Sequence, residues 1–429
     1  MNDSVFKEQY LPSMKGLNLL YEEDENMKKL PLIARIVIWL LIGIGLGMIC
    51  RTTAFELPIA MTATFRTLFG AFLSFVIPLI ILGLIIPGYA SLGRQSGTGL
   101  LLTTGLAYVS TICAGLTAFV IGKVFLPMFT SGLGLLPSEG SSVSPIFTID
   151  IPVLMSVMSA LVLAFILGIG LAAKKDSVLL KVCQDFSDIM MGVIGKVIVP
   201  IVPLYIGSVF SELSYSGEIF VTIKSFLMVY VVLFLLQVGY LLILYSVAGG
   251  IKRKNPFALL KKMLPAYLTA IGTQSSAATI PVTLECTKSN EVDEEICEFV
   301  IPLSATIHIA GDTMTLVLTS MAIFFMNGQV PTLAQYIPFI LMLGVIMIAA
   351  PGVPGGGVMA ALGLLESMLG FGALETPLMI ALHAAQDSFG TATNVTGDGA
   401  MAIFVEKLMK RSKEKSTQTV GVEPVTISD

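Results

Sequence analysis

Long apolar segments constrain the fold of this chain more strongly than any other feature. The first uninterrupted segment, residues 30–50, has the length of roughly 20 residues that a helix needs to cross a bilayer. Similar segments follow at residues 66–90, 98–127, 152–173, 186–211, 219–249, 299–326 and 376–405, and a broken one lies near 336–370. Only 13% of the 429 residues are charged, against about 25% in soluble proteins. The sequence therefore predicts an all-α integral membrane protein.

Polar segments border this predicted membrane domain, which extends over residues 30–411. Residues 1–29 are polar and of mixed charge. We expect them to form a cytoplasmic N-terminal segment, because a signal peptide would begin with a basic region followed by a short apolar stretch. Residues 412–429 are expected to be a solvated cytoplasmic tail.

Basic residues are concentrated in alternate loops. They lie before the first apolar segment, near residues 94, 174–181 and 252–262, and in the tail from 407 onward, whereas 128–151 and 327–337 contain none. Because cytoplasmic loops carry an excess of Lys and Arg, both termini are predicted to be cytoplasmic, with Arg51 and Arg66 as exceptions. About eight spans fit this arrangement, with residues 257–285 and 336–370 as re-entrant hairpins rather than crossings.

Several functional classes lack their sequence features. Five scattered cysteines without a C-x-x-C pair, and only two histidines, argue against a disulfide framework and a zinc site. A net charge of −4 argues against a nucleic-acid partner. Nothing resembles a Walker A loop, and no nucleophile lies at a diagnostic spacing from a histidine. We therefore expect neither an enzyme nor an organic cofactor.

Ionisable residues inside apolar segments indicate where function lies. Between Ser289 and Glu406 there is no Lys or Arg. Yet the apolar segments of this window contain Asp312, Asp387, Asp398, His308 and His383. An ionisable group at membrane depth costs a few kcal/mol and usually faces a pathway or a partner. These carboxylates must pair with a distant basic residue, be protonated or bind a cation, unless they lie at a helix end near water.

A stripe of polar residues sharpens this interpretation. Asp387, Thr391, Asn394 and Asp398 follow one another at spacings of four, three and four, so they share one helical face. A polar seam between helices needs mainly neutral polar residues and does not call for two acids. The pattern favours a polar binding site.

Two breaks in the apolar segments give a second signal. Residues 351–357 (PGVPGGG) and 275–281 (SSAATIP) interrupt apolar stretches. Such breaks free backbone groups for a ligand, and paired interrupted segments point to a midplane site in secondary transporters. A loop between two short helices is the alternative.

Three motifs resemble the dicarboxylate/amino acid:cation symporters, the glutamate-transporter family. Residues 274–283 (QSSAATIPVT) resemble the tip of its first re-entrant hairpin, 352–357 (GVPGGG) the tip of its second, and 391–398 (TATNVTGD) its last-helix motif. The resemblance covers about residues 30–410. It implies eight transmembrane helices plus two re-entrant hairpins, a homotrimer in the plasma (inner) membrane and an elevator movement. It also implies a scaffold from spans near 30–90 and 152–211, and a transport core from spans near 98–127, 219–249 and 257–407.

The resemblance also implies roles for particular residues. Asp387 would hold the substrate ammonium, assisted by Thr391, and Asn394 would hold the α-carboxylate. The remaining substrate-binding positions would be Gln274, Ser276, Val353 and Gly357 in the hairpin tips, and Asp312 and Gly390 at the substrate side chain. One sodium ion would bind Asp398 with carbonyls near Ser304, His308 and Asn394. A second would bind carbonyls near Thr306 and between Met347 and Ala350, since hard cations prefer oxygen ligands.

One departure from the family bears on the substrate. Transporters of acidic amino acids have an Arg that pairs with the side-chain carboxylate, where this chain has Gly390, and a Thr where it has Asp312. Because carboxylates favour a bidentate Arg, a small neutral amino acid is the expected substrate. A cationic amino acid and a dicarboxylate are the alternatives, and Gly390 could instead make room for a large side chain.

A second departure bears on the coupling ion. The family's Asn-Met-Asp-Gly-Thr is His308-Ile309-Ala310-Gly311-Asp312 here, so one sodium ligand is lost. His308 and Asp312 lie four residues apart and could exchange a proton, which makes H⁺ an alternative to Na⁺. A packing role for His308 is equally open, and His383 is expected beside Asp387. A ligand-gated channel or sensor without coupled uptake is the competing functional class.

Overall fold

The computed structural model describes residues 32–94, 98–130, 143–174, 177–217, 219–348, 350, 355–372 and 374–419. Within these residues the chain is built from helices, and none of them lies in a β-strand. The prediction of an all-α membrane protein is therefore confirmed. The predicted N-terminal segment, much of the predicted tail and Val353 lie outside the described residues.

The helices follow the apolar segments. In chain order they are α1 (Leu32–Thr53), α2 (Leu57–Arg94), α3 (Thr98–Thr130), α4 (Val157–Ala172), α5 (Val178–Val193), α6 (Val199–Ser216), α7 (Ile219–Lys252), α8 (Pro256–Lys262), α9 (Leu264–Thr273), α10 (Ser276–Ser289), α11 (Glu294–Ile307), α12 (Ala310–Met326), α13 (Leu333–Met347), α14 (Gly356–Leu369) and α15 (Glu375–Thr419). Six described stretches are long and apolar enough to cross a membrane, so the chain is a multi-pass membrane protein. The count of eight spans stays a prediction, because α4, with 16 residues, falls short of that length.

The first predicted hairpin is formed by α9 and α10, which pack against each other. Gln274 ends α9 in the left-handed conformation, with a φ of 52°. Ser275 then caps α10, because its hydroxyl accepts a hydrogen bond from the Ala278 N–H at 3.3 Å. Two residues therefore turn the chain back on itself.

The second predicted hairpin is formed by α13 and α14, which also pack together. Gly355 precedes α14 with a φ of 75°, a conformation that favours glycine. The residues before it, 351–354, lie outside the described part of the chain.

A break divides the apolar segment 299–326, which the sequence predicts as one span. His308 and Ile309 leave the helical conformation between α11 and α12, with φ/ψ of −103°/91° and −119°/53°. The Gly311 N–H, which a continuous helix would direct to Ile307, donates instead to the Asn394 side chain. Irregular backbone at this depth is tolerated because protein surrounds it.

The helices sort into two groups by their contacts. In the scaffold group (α1, α2 and α4–α6), α1 packs on α6, and α2 packs on α4, α5 and α6. In the core group (α3 and α7–α15), α15 packs on α7, α9, α11 and α12, and α12 also packs on α3. Almost every side chain of α12 is buried. The core group therefore surrounds the break between α11 and α12.

A buried ion pair lies inside the scaffold group. Arg66 on α2 contacts Glu212 on α6, and their side chains are 11% and 4% exposed. This pairing explains why Arg66 departs from the distribution of basic residues among the loops.

Candidate functional site

The polar stripe of α15 faces the break between α11 and α12. Its members Asp387, Thr391, Asn394 and Asp398 are each at most 5% exposed. The Asn394 side chain fixes the start of α12, since its Oδ1 accepts from the Gly311 N–H at 2.7 Å and its Nδ2 donates to an Asp312 oxygen at 3.1 Å. The amide that the resemblance assigns to the substrate carboxylate is thus held by the protein itself.

A first pair of ionisable residues lies directly at the break. Nδ1 of His308 is 2.9 Å from Asp398, and its Nε2 is 2.9 Å from the Ser110 hydroxyl on α3. The Ser110 hydroxyl in turn lies 2.8 Å from the Tyr240 hydroxyl on α7. The imidazole packs where Gly397 has no side chain, because a Cβ there would lie 2.7 Å from His308 Cε1. Both ring nitrogens of His308 are therefore engaged.

The predicted contact between His308 and Asp312 is not formed. The spacing of four residues would place the two side chains together only on a continuous helix. The break at residues 308 and 309 separates them, so His308 meets Asp398 whereas Asp312 meets His383 and Asn394.

Asp312, His383 and Asp387 form a buried cluster, here called the carboxylate–imidazole cluster. One donor atom from each residue lies within 4.8 Å of the other two, and His383 Nε2 is 3.4 Å from Asp312 Oδ1. Asp387 Oδ2 accepts from the Gly355 N–H at 2.8 Å, which ties α15 to the second hairpin. His383 thus lies beside Asp387, as the sequence predicts.

Two glycines leave the space that Asp312 occupies. A Cβ on Gly390 would lie 2.8 Å from Asp312 Oδ1. A Cβ on Gly357 would lie 3.2 Å from Asp312 Oδ2 and 3.3 Å from His383 Nε2. The structure therefore places Gly357, Gly390 and Asp312 at one side of a shared cluster, where Asp312 takes the room that Gly390 leaves.

The first hairpin tip contacts α15. The Gln274 side chain donates to the Ser388 hydroxyl at 2.8 Å, and Ser276 is buried at the start of α10. The left-handed Gln274 is thereby held against the helix that carries the polar stripe.

The predicted cation ligands differ in their surroundings. Ser304 Oγ and Asp398 Oδ2 are buried and accept no hydrogen bond from the described residues, so both are available to a hard cation such as Na⁺. Thr306 is exposed, and its hydroxyl bonds the Leu303 carbonyl at 2.8 Å. The Met347 carbonyl accepts from the Ala350 N–H at 3.2 Å, so both residues lie at the end of α13. The surroundings of Asp398 fit a sodium ion.

Sequence reasoning missed three residues at this site. Ser110 and Tyr240 complete the surroundings of His308, and the Tyr245 hydroxyl donates to the Thr396 carbonyl at 2.8 Å. Their signal was present as polar side chains inside the apolar segments 98–127 and 219–249. It was weak, because hydroxyl groups are common in ordinary membrane helices.

Comparison with known proteins places these features in a family. Excitatory amino acid transporter 3 of Oryctolagus cuniculus is 30% identical over 264 residues, which are 59% of this chain and 48% of that protein. Excitatory amino acid transporter 2 of Homo sapiens is 29% identical over 257 residues, 58% of this chain and 44% of that protein. The chain thus matches less than half of the length of these relatives. A family model described as the sodium:dicarboxylate symporter family matches residues 32–408. The chain therefore belongs to the sodium:dicarboxylate symporter family, a family of transporters rather than enzymes, as its three motifs predict.

Proposed function

We propose that this protein is a secondary-active symporter that carries a small neutral amino acid with Na⁺ across the plasma (inner) membrane. The observation that carries this proposal is the pair of buried carboxylates on one face of α15. Asp387 and Asp398 lie in a window without Lys or Arg, and Asp398 Oδ2 accepts no hydrogen bond from the described residues. Carboxylates in such surroundings are stabilised when a cation binds.

The substrate end of the proposed site lies at Asp387. A substrate ammonium would contact its Oδ1, which accepts no hydrogen bond from the described residues, while Oδ2 stays on the Gly355 N–H. Thr391 lies one turn further along the same face, and the buried Ser276 N–H at the start of α10 would donate to the substrate carboxylate. An ammonium bound there would share the Asp387 carboxylate with the Gly355 N–H of the second hairpin.

The part of the proposed site that would face the side chain of the substrate favours a substrate whose side chain is not negatively charged. Asp312 is buried there, and no Arg lies between Ser289 and Glu406 to neutralise a second carboxylate. Like charges in a buried site repel each other strongly. A cationic amino acid is the second candidate, because Asp312 Oδ1 accepts no hydrogen bond from the described residues.

Ion coupling is proposed to depend on Asp398 and Ser304. Their buried oxygens without hydrogen bonds are the ligand type that Na⁺ takes. Val353, assigned to the substrate site, lies in the second hairpin outside the described residues, and Thr306, Met347 and Ala350 stay the proposed ligands of a second sodium ion. H⁺ is the alternative coupling ion.

The proposed mechanism is an elevator movement of the core group against the scaffold group in a homotrimer, with both termini cytoplasmic. The division of the helices by their contacts supports it, because the helices pack mainly within their own group. The second hairpin supports it too, because its Gly355 N–H donates directly to Asp387, the residue proposed to bind the substrate ammonium.

The test is uptake of a radiolabelled amino-acid panel into proteoliposomes, with Na⁺ and H⁺ gradients imposed separately. Accumulation of a neutral amino acid driven by Na⁺ is the expected result. Accumulation driven only by H⁺ would show that uptake is not coupled to a sodium ion at Asp398. Binding without accumulation under either gradient would replace the symporter by a channel or sensor.

A further inference from the structure

We propose that Asp312, His383 and Asp387 form a binding site for one divalent transition-metal ion, with Zn²⁺ as its best occupant. The three residues lie on α12 and α15 and are 7%, 0% and 5% exposed. One donor atom from each residue lies within 4.8 Å of the other two, so small side-chain adjustments would let a single ion bind all three.

Among the described residues, each carboxylate of the cluster accepts a hydrogen bond through one oxygen only. Asp312 Oδ2 accepts from Asn394 at 3.1 Å, and Asp387 Oδ2 accepts from the Gly355 N–H at 2.8 Å. The partner oxygen of Asp312 accepts no hydrogen bond from the described residues. Metal-binding carboxylates are held in this way, with one oxygen fixed and the other left for the ion.

The two histidines of the chain differ sharply in their partners. Both nitrogens of His308 have hydrogen-bond partners, whereas neither nitrogen of His383 has one among the described residues, although its ring is completely buried. An imidazole buried without a hydrogen bond is costly. His383 Nε2 lies 3.4 Å from Asp312 Oδ1, so a metal ion between the cluster residues would give this nitrogen a partner.

The donor set selects the kind of ion. One imidazole and two carboxylates suit borderline metals such as Zn²⁺, which takes nitrogen and oxygen ligands at about 2.0–2.2 Å and commonly keeps a fourth position open. Two carboxylates balance the charge of a divalent ion in a region without Lys or Arg. Ca²⁺ and Mg²⁺ are disfavoured because they prefer oxygen ligands alone.

The site has a consequence for transport, which rests on the proposed function. A metal ion on Asp387 would occupy the oxygen that a substrate ammonium needs. Asp387 would then connect the metal ion to the second hairpin, because its other oxygen accepts from the Gly355 N–H. Zn²⁺ is therefore expected to compete with the amino acid and to inhibit uptake.

The decisive experiment is a Zn²⁺ titration of the full-length protein, purified without a polyhistidine tag and followed by calorimetry. We expect one Zn²⁺ per chain, and a Co²⁺ absorption spectrum typical of nitrogen and oxygen ligation. His383→Gln should weaken Zn²⁺ binding by at least about 100-fold, because it removes the only nitrogen ligand. Asp312→Asn should weaken it as well, which keeps the test valid if one of the two variants fails to fold.

His308→Gln is the matched control, since it changes the other buried histidine. Its Zn²⁺ affinity should stay within about threefold of that of the unmodified protein. A threefold change corresponds to about 0.7 kcal/mol, which is smaller than the effect of losing a metal ligand. Absence of Zn²⁺ binding, or equal weakening by both histidine variants, would overturn the proposal. Zn²⁺ binding without any amino-acid uptake would refute the proposed function and leave the metal site standing.

Discussion

Buried carboxylates have different partners in the scaffold group and at the candidate site of the core group. In the scaffold group, Arg66 and Glu212 neutralise each other across α2 and α6. At the candidate site of the core group, Asp312, Asp387 and Asp398 are buried, and the sequence from Ser289 to Glu406 has no Lys or Arg. Their neighbours are histidines, amides and backbone N–H groups.

This difference distinguishes a structural charge from a binding one. An ion pair that is complete in the protein has no need of a ligand, and it serves packing and specificity. A buried carboxylate whose neighbours are histidines and neutral donors, without Lys or Arg, is stabilised when a cation binds. Removing a charge should therefore harm stability at the Arg66–Glu212 pair and harm binding at the candidate site of the core group.

Breaking the scaffold ion pair should have the largest effect. Arg66→Met leaves Glu212 buried and unpaired, which should lower the free energy of unfolding by about 3–5 kcal/mol. Thermal unfolding in detergent, followed by the loss of monodisperse protein, measures it. Arg66→Met combined with Glu212→Leu is the control and should recover most of the stability. A single variant as stable as the unmodified protein would show that Glu212 reaches water or another partner.

Neutralising Asp387, which is proposed to bind the substrate ammonium, should weaken substrate binding rather than the stability of the protein. Asp387→Asn keeps an oxygen for the Gly355 N–H but removes the charge that holds an ammonium. Uptake should fall about 100-fold, or about 2.7 kcal/mol, as expected for a buried hydrogen bond to a charged group. Thermal unfolding without substrate should stay near that of the unmodified protein. Normal uptake would remove Asp387 from the proposed site.

Neutralising Asp398 should change the response to sodium. Asp398→Asn retains the neighbour His308 but loses a hard anionic ligand, so the sodium concentration for half-maximal uptake should rise about tenfold. Ser304→Ala is a milder companion variant, since it removes a neutral oxygen. A sodium titration that Asp398→Asn leaves unchanged would exclude this residue as a sodium ligand.

Introducing an Arg at position 390 tests the part of the proposed site that would face the side chain of the substrate. Arg at position 390 would meet Asp312, whose Oδ1 is 2.8 Å from a Cβ built on Gly390. Gly390→Arg alone should therefore form an internal ion pair and gain little affinity for acidic amino acids. Gly390→Arg with Asp312→Thr should favour glutamate or aspartate by about tenfold, from one new charge-assisted hydrogen bond. Competition uptake assays measure this preference, and equal behaviour of the two variants would contradict the placement of Asp312.

Sequence patterns predicted those parts of the fold that depend on local composition. The apolar segments predicted the helices, and the small polar and glycine-rich breaks predicted the turns at Gln274 and Gly355. The spacing from Asp387 to Asp398 predicted a shared face, because α15 is a continuous helix there.

Contacts between distant segments could not be predicted in the same way. The spacing of His308 and Asp312 suggested a pair, but the helix breaks between them and each finds another partner. That break depends on Asn394, more than 80 residues away, which takes the Gly311 N–H. The pairing of Arg66 with Glu212 likewise needs two helices whose contact no local pattern records.

Removing a water-exposed ion pair should have the smallest effect on the stability of the protein. Lys288 lies 2.6 Å from Glu294 and 3.4 Å from Glu298, whose side chains are 70% and 60% exposed. Lys288→Ala should leave the unfolding temperature within the scatter of repeated measurements, because water and salt screen such pairs. Lys288→Met is the control for the lost aliphatic stem. If Lys288→Ala destabilised the protein as much as Arg66→Met does, the prediction would be wrong. Burial would then not be what makes an ion pair important for stability, and the contrast between the buried charges would need another cause.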